Sequence, residues 1–251
     1  ERVFMHIGIL KVAGSLEKEG WAIDCLDLAG IDNYYDVLDK YIEGTDNKYF
    51  GITATTPQMP FAMNIATHLR KLRPDAKIIL GGTHVSLMNS AKKKEDKKGV
   101  KGRASLDIEK LKNVFDILVC GDGEFAIFEA LKFERTIVDA DDRTSDLFLN
   151  DDDFSTLPFP SRHLVDVDSY NYEIDGKKAT SLICQLGCPF RCTFCGGRNS
   201  PFLRKIRTRS SDSIIEEMRH LYDTYGFTGY MFYDDELNVN KEWETLLEKI
   251  A

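Results

Sequence analysis

Short apolar runs and helical stripes alternate along the first half of the chain. Ile9, Leu10, Ala13 and Leu16 recur at helical spacing and stop at Gly20, which predicts a helix. Ala22–Leu28 (AIDCLDL) alternates apolar and polar positions and predicts a strand. Tyr49–Ala54, Lys77–Leu80 and Phe115–Cys120 predict three more strands, the last two running into Gly81-Gly82 and Gly121-Asp122-Gly123. Phe61–Leu72 predicts a helix closed by Arg73-Pro74, and Glu124–Leu131 predicts another. Strands and helices alternating at this length imply βα units and a mostly parallel sheet. Ligands of such sheets lie at the carboxyl ends of the strands, where Thr53–Thr56, Gly81–Ser86 and Gly121–Glu124 fall.

The stretch from Ala91 to Arg103 carries seven positive and two negative charges, which predicts a solvated loop, with a phosphate-binding patch as the sharper reading. Asp139–Asp153 is acidic and turn-rich and reads as a linker, followed by a stiff Leu157-Pro158-Phe159-Pro160. The pattern restarts at Ala179. Ala179–Leu186 predicts a strand, Ser210 or Ser211 caps a helix over Ser213–Tyr225, and Gly226 stops it. Tyr230–Tyr233 predicts a strand ending in Asp234-Asp235-Glu236, and Asn240 caps a last helix. The domains expected are residues 1–138, a linker over 139–178, and residues 179–251.

Composition narrows the class. At 251 residues, 43% hydrophobic and 29% charged, the chain can bury a core without disulfide staples. A net charge of −8 argues against a general nucleic-acid coat. No apolar run is long enough to span a bilayer and no signal peptide is visible, so a soluble, cytoplasmic protein is expected. The first residue is Glu1 and not Met, which leads us to expect that the natural start lies upstream.

Four of the six cysteines, Cys184, Cys188, Cys192 and Cys195, crowd one short stretch; Cys25 and Cys120 lie in predicted strands and read as core. Such clustering suggests a metal site in a reducing compartment. Cys188, Cys192 and Cys195 form C-x3-C-x2-C (GCPFRCTFC), three soft ligands suited to iron–sulfur clusters or zinc. Alternation puts Cys184 on the face of Leu182 and Leu186, which predicts an inert core thiol. If Cys184 joined the trio, four thiolates would close the site as structural zinc or an electron-transfer cluster.

The loop resembles the signature of the radical S-adenosylmethionine (SAM) enzymes in its spacing, in Phe194 before the third cysteine, and in following a predicted first strand. That resemblance implies that Cys188, Cys192 and Cys195 hold a [4Fe–4S] cluster and that SAM chelates the fourth iron. One-electron cleavage of SAM would then give a 5′-deoxyadenosyl radical. It also implies SAM contacts from Phe194 and from the acidic end of the second strand, Asp234 and Glu236, with Glu236 favoured for the amino group.

The first module resembles the corrinoid-binding domain found before many radical SAM cores, through GITATT (51–56), KIILGGTHVSL (77–87) and CGDGE (120–124), with LPFPSRHL (157–164) as the linker. The resemblance implies a Rossmann-like, doubly wound B12-binding α/β domain followed by the first units of a partial (β/α)6 barrel. Thr53, Thr55, Gly81, Gly82, Thr83, His84, Gly121, Gly123 and Glu124 would line the cobalamin pocket. The plainer reading is that the glycines only make tight βα turns. The G-x-G-x-x-A at Gly121–Ala126 is a weak dinucleotide fingerprint, since it lies on the module's last strand and no ribose-binding acid follows at the usual distance. The D-x-H-x-x-G of cobalamin mutases is absent around His6, and His68, His163 and His220 show no ligand spacing. Arg191, Arg198, Arg204, Lys205, Arg207 and Arg209 surround the cysteine loop; they serve solubility, favour reduction of an anionic cluster, or bind an anionic substrate.

The function expected is a cobalamin-dependent radical SAM enzyme, with radical methyl transfer to an unactivated carbon favoured and ring closure or rearrangement next. The alternatives are a four-cysteine electron-transfer or zinc module, and a radical SAM enzyme without bound cobalamin. The partners expected are a small-molecule or peptide substrate and an external electron donor. The residues after Thr180 hold roughly two βα units, so a further segment or a second chain is expected to complete the barrel, without which the piece would be inactive.

Overall fold

The computed structural model describes residues 4–251. The expected first domain begins at residue 1, so its first three positions lie outside the described residues. The chain divides into two compact units. One comprises the chain up to Gly30 with Leu149–Thr193 and Leu203–Ala251; the other comprises Ile31–Phe148 with Phe194–Phe202. The expected helix at the start is α1 (Ile7–Lys18), with Leu10, Ala13 and Leu16 buried.

The segment after α1 corrects an expectation. Residues 21–28 form no strand. Alternation reports two different environments along a segment; a ladder also needs a partner, and among the described residues this segment has none. Cys25 is half-buried there and packs against the core of its own unit.

In the second unit, α2 (Tyr34–Glu43) precedes β1 (Tyr49–Thr53), α3 (Met59–Leu72) and β2 (Lys77–Gly81). Then come α4 (Thr83–Lys97), α5 (Arg103–Lys112), β3 (Ile117–Gly121), α6 (Gly123–Ala130) and β4 (Ile137–Ala140). The four strands form one sheet in the order β1-β2-β3-β4, each pair parallel. Burial on both faces explains the unbroken apolar runs Ile78–Leu80 and Ile117–Val119. The helices α2 and α3 add Leu38, Ile42, Ala62, Ala66 and Leu69 to this core, while α4 and α5 add Val85, Ile108 and Leu111.

Most of the lysine-rich stretch expected as a loop is the second half of α4; only 98–102 connects it to α5. Lysine and glutamate are good helix formers, and Lys92 pairs with Asp96 one turn on at 2.6 Å. Glu95 ties the connection down by accepting from the Gly102, Ala104 and Ser105 amides. The boundary expected at 138/139 falls inside β4.

In the first unit, α7 (Asp151–Thr156) leads into an extended Pro-rich segment and β5 (Glu173–Ile174). The strand expected over Ala179–Leu186 is broken into β6 (Lys177–Leu182) and β7 (Gln185–Leu186). The break has a cause: Asp234 takes the Cys184 and Gln185 amides out of the ladder. After the cysteine loop come the single turn α8 (Pro201–Arg204), β8 (Arg207–Thr208), α9 (Ser211–Tyr225), β9 (Gly229–Phe232) and α10 (Trp243–Ile250). β6 pairs parallel with β9 and antiparallel with β5, and β7 pairs antiparallel with β8. Ser210 caps α9 through the Ser213 amide and Gly226 ends it. Glu242 sits at the N-cap of α10, where Asn240 was expected; Asn240 instead accepts from the Glu242 amide at 2.8 Å. No helix among the described residues is long and apolar enough to cross a membrane.

A buried ion triad binds the Pro-rich segment into this unit. Glu217 on α9 accepts from Arg162 at 2.7 Å and from Arg209 at 2.5 Å, and all three are buried. Arg162 also donates to the Ser181 carbonyl at 2.9 Å.

Candidate functional site

Three consecutive strands of the four-stranded sheet end at one edge, and all nine candidates there belong to those ends. Thr53 closes β1 and stands opposite Gly81, which closes β2. Thr55 caps the turn before α3, with the Gln58 side chain accepting from its backbone amide. Gly82, Thr83 and His84 start α4, while Gly123 and Glu124 start α6 directly after Gly121. The plainer reading of the glycines holds in part. Gly82 has φ 99°, and a Cβ there would meet the Ala54 oxygen at 2.8 Å. Gly121 has φ 95°, and its Cβ would lie 2.5 Å from the Ala140 carbonyl carbon. A Cβ on Gly81, by contrast, would meet nothing within 4 Å, so that position leaves room at the edge. The His84 ring lies 3.1 Å from the Thr56 hydroxyl, and burial lowers its pKa. Glu124 is buried.

No local pattern marks the residues after the third cysteine as part of this unit. Phe194–Phe202 pack with it, and Asp141, which follows β4, holds them. Asp141 Oδ1 accepts from the Ser200 hydroxyl at 2.9 Å and from the Phe202 amide at 2.7 Å. Burial raises the Asp141 carboxyl pKa, opposed by these two donors and by Lys93. Asp141 was hidden in the acidic run that reads as a linker.

Cys188 and Cys192 belong to the first unit and Cys195 to the second. Cys188 is half-buried, Cys192 and Cys195 are exposed, and none of the cysteines is in a disulfide. Phe194 is 90% exposed. Among the described residues no three His, Cys, Asp or Glu side chains stand as a ready metal cluster. The Cys188 amide donates to the Leu203 carbonyl at 3.0 Å, and Arg204 donates to the Pro189 carbonyl. The donor set fits an iron–sulfur cluster: three unbonded thiols on one loop, open to a soft metal centre. Cys184 is fully buried, and desolvation raises its thiol pKa far above neutral pH, so it packs as core. Cys120 is likewise buried and raised.

The nearby cations differ in exposure. Arg207 and Arg209 are buried and Arg209 is committed to Glu217, whereas Arg191, Arg198 and Lys205 are exposed.

At the end of β9, Asp234 Oδ1 accepts from the Cys184 amide at 2.9 Å and from the Gln185 amide. Burial pushes its carboxyl up to about 6, against those two amides. Its Oδ2 and the Gln185 Oε1 are buried acceptors with no donor. The Gln185 amide nitrogen donates to the Glu236 carbonyl at 3.0 Å, and the Glu236 side chain is half-buried. Two orphan acceptors at the break between β6 and β7, next to Cys184, fit a ligand carrying an amino donor, as SAM does. Nothing in its local pattern separates Gln185 from an ordinary strand residue.

Residues 3–111 match the B12 binding domain family. An uncharacterized methyltransferase of Pyrococcus horikoshii is 27% identical over 236 residues, covering 93% of this chain and 49% of that protein. The anaerobic magnesium-protoporphyrin IX monomethyl ester cyclase of Cereibacter sphaeroides is 25% identical over 266 residues, covering 94% and 40%. Among solved structures, the radical S-adenosylmethionine methyltransferase TsrM of Kitasatospora setae, with tryptophan and the SAM analog aza-SAM bound, matches at a TM-score of 0.65 and 19% identity over 98% of this chain and 48% of its own. The same protein with cobalamin and a [4Fe–4S] cluster bound matches at 0.63. The chain spans about half the length of these relatives or less. Over 98% of its length it has the mixed α/β fold of TsrM, with a parallel sheet in the part that matches the B12 binding domain family.

Proposed function

We propose that this chain supplies the cobalamin-binding domain and the opening βα units of the radical SAM domain of an enzyme that methylates an unactivated carbon. The single observation that carries the reading is the cysteine loop: three thiols are free to ligate while the fourth, Cys184, is sealed in the core. Cys188, Cys192 and Cys195 would hold a [4Fe–4S] cluster with one iron left open. Asp234 Oδ2 and Gln185 Oε1 would accept from the amino group of SAM, with Glu236 beside them and the exposed Phe194 available to its adenine. Thr53, Thr55, Gly81, Gly82, Thr83, His84, Gly121, Gly123 and Glu124 would line the cobalamin site at the sheet edge. When bound, these groups supply hydrogen abstraction and a methyl group; the protein's part is to hold them and exclude competing donors. An external one-electron donor and a reducing, cytoplasmic setting belong to the same reading.

Ring closure is the second reading, supported by the likeness to the protoporphyrin ester cyclase. Anaerobic reconstitution tests the proposal. The expected result is bound corrinoid in the absorbance spectrum and a reduced-cluster EPR signal that changes on adding SAM. Tetrathiolate zinc, or a cluster lost on Cys184→Ala substitution, would overturn it.

A further inference from the structure

We infer that Asp141 is a positioning residue for the third cluster thiolate, Cys195; this rests on the cluster reading above. The sheet unit builds a seat for the chain just after that cysteine. The backbone from Cys195 enters a short 3-10 turn (Gly196–Asn199), with the Arg198 amide donating to the Cys195 carbonyl at 3.4 Å and the Ser200 amide to the Gly197 carbonyl at 3.0 Å. Such a turn is short and stiff, so fixing its far end restricts its near end.

The far end is fixed from two sides, by Asp141 after β4 and by Ser90 on α4. Asp141 accepts from the Ser200 hydroxyl and the Phe202 amide, and both Asp141 and Ser200 are wholly buried. Ser90 on α4 donates to the Asn199 carbonyl at 3.0 Å. At the near end α4 passes close by, since a Cβ on Gly196 would be 3.8 Å from a Leu87 methyl. Asp141 is itself held, because Lys93 donates to its carbonyl at 3.0 Å and pairs with Asp139. One element, the edge after β4, thus sets both the end of the sheet and the path of the chain leaving Cys195. Ser200→Ala removes one of the two donors to Asp141; Asp141→Ala removes the acceptor of both; Asp141→Asn keeps Oδ1 as acceptor.

The test uses the chain in metal-free and anaerobically reconstituted forms. Hydrogen exchange of residues 199–202 is read in the first, and iron per chain with the reduced-cluster EPR line shape in the second. For Asp141→Ala we expect exchange at 199–202 to rise at least about tenfold, iron retention to fall by about half or more, and the line shape to change at temperatures where the chain is still folded. Asp141→Asn should restore all three to within about twofold. A role in stability alone would lower the melting temperature and leave the line shape as in the wild type, and that result overturns the inference. If Asp141→Ala does not fold, Ser200→Ala reads the same quantities: faster exchange with an altered line shape supports the inference, and unchanged values overturn it. A wild-type chain that takes up no iron instead overturns the cluster reading and this inference with it.

Discussion

Removing Glu217 is the sharpest perturbation of this fold. Its side chain is 1% exposed and sits between Arg162, also 1% exposed, and Arg209. Glu217→Ala would leave two buried guanidiniums with only the Ser181, Ile183 and Ser213 oxygens as acceptors. Breaking a buried pair by removing one partner costs about 3–5 kcal/mol. Two cations are stranded here, which places the loss toward the upper end. At about 2–4 °C per kcal/mol for a chain of this size, a loss of about 5 kcal/mol lowers the melting temperature by roughly 10–20 °C. Glu217→Gln keeps one acceptor oxygen but not the charge and should fall between. Replacing all three residues by apolar ones of similar volume should cost far less than breaking the triad.

The pH dependence follows from the same geometry. Burial alone would raise the Glu217 carboxyl, but the two guanidiniums reverse that and hold it below the ordinary carboxylate value. A depressed folded pKa stabilises the fold above the unfolded value, and the stabilisation is lost as pH falls through the lower folded one. Denaturant melts at neutral pH and in an acid series measure both effects. A Glu217→Ala loss under about 1 kcal/mol, or an acid limb unaltered by the substitution, would refute the reasoning.

Other outcomes can be checked as directly. Cys184→Ala should keep the iron of the reconstituted protein at a stability cost of order 1 kcal/mol, whereas Cys188→Ala, Cys192→Ala or Cys195→Ala should lose it; iron assay and calorimetry distinguish these. Gly121→Ala adds a Cβ at φ 95°, against the Ala140 carbonyl carbon, and should cost about 2 kcal/mol or more while weakening corrinoid uptake, read by denaturation and absorbance titration. Asp234 has a folded pKa raised to about 6, so its contribution to stability is present below the ordinary aspartate value and is lost as pH rises through about 6. Asp234→Asn should flatten the urea midpoint between pH 4 and 8, and a wild-type-like slope in the variant would contradict this.

Local pattern was enough wherever one segment contained its own signal. The apolar runs of β2 and β3 announced doubly buried parallel strands, and Ser210 and Gly226 marked the ends of α9. The carboxyl-edge residues followed from the order of those strands. Other features depend on partners far along the chain, which no local pattern encodes. Residues 21–28 alternate like a strand but pair with no strand among the described residues, and β4 extends into the stretch that reads as linker because β3 lies beside it. The break between β6 and β7 depends on an aspartate about fifty residues later, and the seat of Ser200 and Phe202 on one about sixty residues earlier. Periodicity and spacing act within a few turns of chain, where the covalent geometry already brings groups together. Hydrogen-bond partners and buried charges are chosen only when desolvation forces each polar group to find whatever the folded core has brought near.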